Sequence, residues 1–104
     1  MELRNLRALV EVARQGGFTP AAKVLFLSQP SVSKAVRQLE EELGETLFTR
    51  SGDGAKLTEA GEVVFARAVA MLAESEHMRA ELAELRGLFT GKLRLGLPIF
   101  GSAR

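Results

Sequence analysis

A chain of 104 residues with a net charge of +1, no cysteine and a single histidine has room for one small domain plus an appendage, and it excludes disulfides, thiolate metal sites and histidine clusters. Arg67 interrupts the richest apolar run, over 63–72, and Glu2, Arg4 and Arg7 stand where a secretory leader needs apolar residues; neither a membrane span nor a signal peptide is expected, and the location read from the sequence is cytoplasmic. The small net charge hides an asymmetry: residues 1–39 hold six bases (Arg4, Arg7, Arg14, Lys23, Lys34, Arg37) against Glu2 and Glu11, and then Glu40, Glu41, Glu42 and Glu45 crowd together. Distribution, not the sum, is what marks a nucleic-acid partner.

Leu3, Leu6, Val10 and Ala13 recur at steps of three and four, which lays one apolar stripe along a first helix that Gly16 and Gly17 stop. Thr19 is a good N-cap and Pro20 suits a first helical position, so a second, short helix is predicted from there through Ala21, Ala22, Val24 and Leu25. Residues 27–29 form the turn. Ser28 caps a third helix that has Pro30 in its first turn and Gly44 at its end. Short strands are expected at 46–50 and 55–57, on either side of the turn-forming Ser51-Gly52-Asp53-Gly54; this hairpin is a wing.

Thr58 caps a fourth helix with no breaker between Gly61 and Gly87, a rod of roughly 43 Å at 1.5 Å per residue. Its seam, Val64, Ala68, Met71, Ser75, Met78, Leu82, Leu85 and Phe89, alternates steps of four and three. Heptad spacing of this kind calls for a partner helix, and a homodimer is expected through it. Past Gly91, Lys92 to Pro98 alternate polar and apolar residues as a strand does.

On a helical wheel Val32, Val36, Leu39 and Leu43 share one face of the third helix, which leaves Pro30, Ser33, Lys34 and Arg37 outward, with Gln29 and Ser31 flanking. A helix-turn-helix inserts the N-terminal part of its second helix into the major groove. Gln29 suits adenine, Ser31 and Ser33 suit several base edges, Pro30 suits a thymine methyl, and Lys34 and Arg37 suit phosphate or guanine. Ser28 belongs to the same end, and Thr19 offers a hydroxyl to a backbone phosphate. The acidic trio fits only if the C-terminal half of the helix lies outside the groove.

From Leu3 to about Gly61, with a weaker continuation to Pro98, this order of elements and the run Phe18 to Glu40 followed by Leu-Phe-Thr-Arg and Leu-Thr-Glu-Ala-Gly resemble the N-terminal region of LysR-type bacterial transcriptional regulators. The resemblance implies a mainly α fold: a winged helix-turn-helix of three helices and a two-stranded wing over 1–58, a dimerisation linker helix over 59–88, and a hinge with the start of a truncated effector-binding domain over 89–104. It implies double-stranded operator DNA as partner, an interrupted palindromic site, and a small-molecule effector acting only through a C-terminal domain absent from this chain, to which tetramer contacts also belong. Arg50 and Lys56 match basic wing positions of the family. Two departures stand out: the family often has arginine at the Lys34 position, which argues against direct guanine readout by a lysine, and Asp53 replaces a base at the wing tip, which weakens the wing contact.

Other readings explain less. A coiled-coil interaction module leaves Ser28-Gln29-Pro30-Ser31 and the outward bases without a purpose, and a different winged-helix family would pair its linker helices differently. Ser31-Val32-Ser33-Lys34 fits the S-x-x-K pattern of serine acylases, but the companion motifs and the necessary length are missing. Neither His77 nor any other residue assembles a catalytic or metal set, so no enzyme activity, cofactor or metal is expected.

Overall fold

The computed structural model describes residues 1–52 and 54–87. Residues Met1–Leu72 form one compact unit and a second begins at Ala73. In the first unit, α1 (Leu3–Gln15) ends where Gly16 takes a left-handed φ of 78° and returns its N–H to Val12. Its buried side centres on Leu6, Leu9 and Val12, whereas Leu3, expected in the stripe, is exposed.

Helix α2 (Phe18–Leu25) starts two residues earlier than the Thr19 cap implied, with extended Gly17 as its N-cap and no side-chain cap. Thr19 and Pro20 therefore occupy its first turn, where the helix uses no backbone N–H and a proline costs little. The earlier start buries Phe18, whose ring meets Phe48 edge-on at 5.7 Å; burying an aromatic is worth about 1.5–3 kcal/mol and outweighs an N-cap bond of about 1 kcal/mol. Phe26 closes α2 in the left-handed region, φ 57°, so the turn before α3 occupies 26–28.

Helix α3 (Gln29–Leu43) behaves as its sequence requires. Ser28 caps it by accepting the Ser31 N–H at 3.2 Å, and left-handed Gly44 ends it. Val32, Val36 and Leu39 are fully buried against α1.

The wing pairs β1 (Phe48–Ser51) antiparallel with β2 (Gly54–Leu57), register Phe48 to Leu57 and Arg50 to Ala55. The first strand begins two residues later than expected because the backbone of Leu47 is already engaged: its N–H donates to Glu40 Oε2 at 2.8 Å and its carbonyl accepts from Thr58 N–H at 2.9 Å. The hairpin is fixed to the α1–α2 turn by Ala55 N–H donating to the Gly16 carbonyl at 3.0 Å. Gly54 sits there at φ 116°, and a Cβ on it would collide with that same carbonyl oxygen.

Helix α4 (Glu59–Gly87) starts from Thr58, whose hydroxyl accepts the Gly61 N–H at 2.9 Å and donates to the Thr46 carbonyl at 2.6 Å. Gly61 lies so close to Leu47 that any side chain would strike its carbonyl oxygen. Ala68 is fully buried, and Val64, Phe65, Val69 and Leu72 pack half-buried on the same core.

Candidate nucleic-acid interface

The N-terminal half of α3 is a polar surface held in place by its own short hydrogen bonds. Ser28 Oγ–H donates to Ser31 Oγ at 2.9 Å, and Gln29 Nε2 donates to Ser33 Oγ at 2.9 Å. Gln29 thus keeps its carbonyl oxygen and one N–H available, which are the two groups that a bidentate adenine contact needs. Pro30, Ser31, Lys34 and Arg37 are exposed and Ser33 is half-buried. Neither Lys34 nor Arg37 pairs with a carboxylate among the described residues, so their charge is available to an anion.

Two of the three acids of the C-terminal half have partners, and Glu41 is exposed. Glu40 holds the Leu47 N–H, and Glu42 Oε2 lies 3.2 Å from the N-terminal amine. One helix therefore presents free cations at its first turns and partly neutralised acids at its last.

Beside α3, an open cleft of about 320 Å³ runs along α1 and is lined by Arg4, Asn5, Lys34 and Gln38 among others. Asn5, the one buried polar side chain among the described residues, donates to Gln38 Oε1 at 3.4 Å on its floor. Arg4 and Lys34 both line this cleft. No sequence signal sets Arg4 in the same cleft as Lys34, because a linear pattern does not relate residue 4 to residue 34.

Thr19 is exposed in the first turn of α2. In the wing, Arg50 and Lys56 are exposed, and the Arg50 guanidinium carbon stands 4.0 Å above the centre of the Phe18 ring. The sequence does not single out Phe18: with Thr19 read as the N-cap it falls before the second helix, and nothing in the linear pattern sets residue 18 against residue 50. Asp53 lies outside the described residues.

The description "Bacterial regulatory helix-turn-helix protein, lysR family" matches residues 3–62, more than half of the chain. The chain belongs to that family. It carries the helix-turn-helix of a LysR-type DNA-binding transcriptional regulator. It is 46% identical over 100 residues to the HTH-type transcriptional regulator BudR of Klebsiella aerogenes, covering 93% of this chain and 68% of BudR. To the RuBisCO operon transcriptional regulator of Allochromatium vinosum it is 44% identical over 97 residues, 93% of this chain but 32% of that protein. A crystal structure of the BenM DNA-binding domain with catB site 1 DNA superposes with a TM-score of 0.79 at 35% identity, covering 83% of this chain and 97% of that one.

The expected LysR-type seam divides. Ala68 is wholly covered by the core of Met1–Leu72 itself, which corrects its assignment to a partner-facing surface, because the chain already fills the space beside it; Val64 is half covered by the same core and keeps part of its surface. Met71, Met78, Leu82 and Leu85 are exposed and Ser75 is intermediate. Phe89 and the expected strand and hinge over 89–104 lie outside the described residues. His77 Nδ1 lies 3.5 Å from Glu74 Oε1, a surface pair one helical turn apart. Among the described residues no helix is long and apolar enough to cross a membrane, and no three His, Cys, Asp or Glu side chains gather as metal ligands.

Proposed function

We propose that this chain reads an interrupted palindromic operator as a cytoplasmic homodimer, with α3 of each protomer in the major groove and α4 joining the two. The observation that carries this reading is the division of α3: exposed Gln29, Pro30, Lys34 and Arg37 and half-buried Ser33 at its start, with the acids Glu40, Glu41 and Glu42 confined to its end, where Glu40 holds the Leu47 N–H and Glu42 the N-terminal amine. Ser28, Gln29 and Ser33 discriminate sequence, with Gln29 on adenine, Lys34 and Arg37 carry phosphate or base contacts, and Thr19, Arg50 and Lys56 position the domain on the backbone. Met71, Met78, Leu82 and Leu85 supply the dimer surface. No step of catalysis is assigned, in keeping with relatives that are transcriptional regulators.

Selection of the operator from random duplexes, followed by titration on that site and on a scrambled one at two salt concentrations, tests this. Gln29→Ala is expected to cost about 1–3 kcal/mol on the operator and almost nothing on the scrambled duplex, since a neutral side chain releases no counterion. Arg37→Ala and Lys34→Ala are each expected to lower the salt slope by about 0.9 wherever they meet a phosphate. Equal losses on both duplexes for Gln29→Ala would remove it from the reading surface.

A further inference from the structure

We infer that Phe18 is a positioning residue for DNA binding: its ring fixes the guanidinium of Arg50 in the orientation in which the wing meets the phosphate backbone. The inference rests on the assignment of Arg50 as a backbone contact. Phe18 itself, buried to 7% exposure, touches no DNA.

Three observations converge on it. The guanidinium lies 4.0 Å above the ring centre, inside the range of a cation–π contact. The ring in turn cannot drift, since it is packed edge-on against Phe48 at 5.7 Å, and Phe48 lies two residues before Arg50 on the same strand. The strand is itself tied to the turn that precedes Phe18, through the bond from Ala55 N–H to the Gly16 carbonyl, and Ala55 is the register partner of Arg50. Backbone and side chain are thus both anchored to the α1–α2 turn.

The choice of partner matters chemically. A carboxylate would hold an arginine equally well but would consume the N–H fork that recognises a phosphate. An aromatic face binds the flat side of the guanidinium and leaves its in-plane donors for the ligand. Arg50 pairs with no carboxylate among the described residues. Most of the rotamer entropy of the arginine is therefore lost on folding rather than on binding. Loss of that preorganisation is expected to weaken DNA binding about three- to tenfold, the range set by freezing one long side chain at an interface.

The test is a double-mutant cycle on the selected operator with Phe18→Leu, Arg50→Ala and the pair, together with Phe18→Tyr and Arg50→Lys, each checked for folding by circular dichroism. Phe18→Leu should weaken binding about three- to tenfold in the wild-type background and have no further effect once Arg50 is alanine, while Phe18→Tyr restores affinity because it keeps the face. Arg50→Lys, at an exposed site where folding is not at stake, should lose a similar factor without changing the salt slope, since the charge stays and the stacked plane goes. Equal losses from Phe18→Leu with and without Arg50, or wild-type affinity for Phe18→Leu or Arg50→Lys, would overturn the positioning role alone. Full affinity for Arg50→Ala would remove Arg50 from the backbone contacts, and the inference would fall with that assignment.

Discussion

Every fully buried apolar side chain among the described residues lies at or before Ala68, and from Ala73 to Gly87 none is buried, although the seam's steps of four and three continue along α4. Ala68 is covered and Val64 half covered by the core of the first unit; Met78, Leu82 and Leu85 are 56, 49 and 42% exposed. The same three- and four-residue steps thus have two outcomes. Periodicity states that a stripe needs covering, and only the packing of Met1–Leu72 states where the chain covers itself and where a second surface is required.

The sharpest way to break that contrast is to excavate both regions. Leu39→Ala, in the core, is expected to lower unfolding free energy by about 2–5 kcal/mol, whereas Leu85→Ala in dilute chain should change it by less than about 0.5 kcal/mol. Urea unfolding followed by circular dichroism measures both, since the chain has no tryptophan or tyrosine. Equal costs would mean that the two regions are stabilised alike.

The converse experiment leaves the core alone and charges the exposed stripe. Met71→Glu with Leu82→Glu should raise the dimer dissociation constant at least about a hundredfold, some 2.7 kcal/mol, with the melting of the helix-turn-helix unchanged. Sedimentation at micromolar concentration decides it; a persistent dimer would place the interface elsewhere.

Two glycines sharpen the comparison along one helix. Gly61→Ala forces a Cβ against the Leu47 carbonyl and should cost about 1–3 kcal/mol, seen as a lower urea midpoint. Gly87 has open space around it, so Gly87→Ala should be neutral or slightly stabilising in the same assay.

The smallest effect concerns an exception within the first unit. Phe26 is 93% exposed and holds a left-handed backbone at φ 57°, so it contributes almost no burial while carrying strain that asparagine tolerates better. Phe26→Asn should raise the melting temperature modestly, equivalent to about 0.5–1 kcal/mol, and a loss of stability would show that the ring packs after all.

Much of this architecture is legible in the chain because its signals are local. Ser28 with Pro30, Gly44, and Thr58 each act on a helix end through backbone groups within four residues, so the limits of α3 and the start of α4 follow from chemistry near at hand. The order of elements and the polar start of α3 are likewise readable, as is the resemblance to LysR-type regulators. The start of α2 is not, since a local N-cap at Thr19 competes with the burial of Phe18 against Phe48, and the burial stabilises more than the cap. Nor is the late start of β1, which depends on Glu40 reaching Leu47 across the turn.

What the sequence by itself determined is therefore the list of elements, the face that α3 presents and the family to which the chain belongs, all consequences of periodicity, capping and motif order within short spans. What only the tertiary structure decided are the arrangements made across distance: the stack of Arg50 on Phe18, the cleft that Arg4 and Lys34 share, the glycines pressed against the carbonyls of Gly16 and Leu47, and the burial of Ala68 within its own chain. These depend on which surfaces come together when the core closes, and a pattern of three- and four-residue steps carries no record of the surface on the other side.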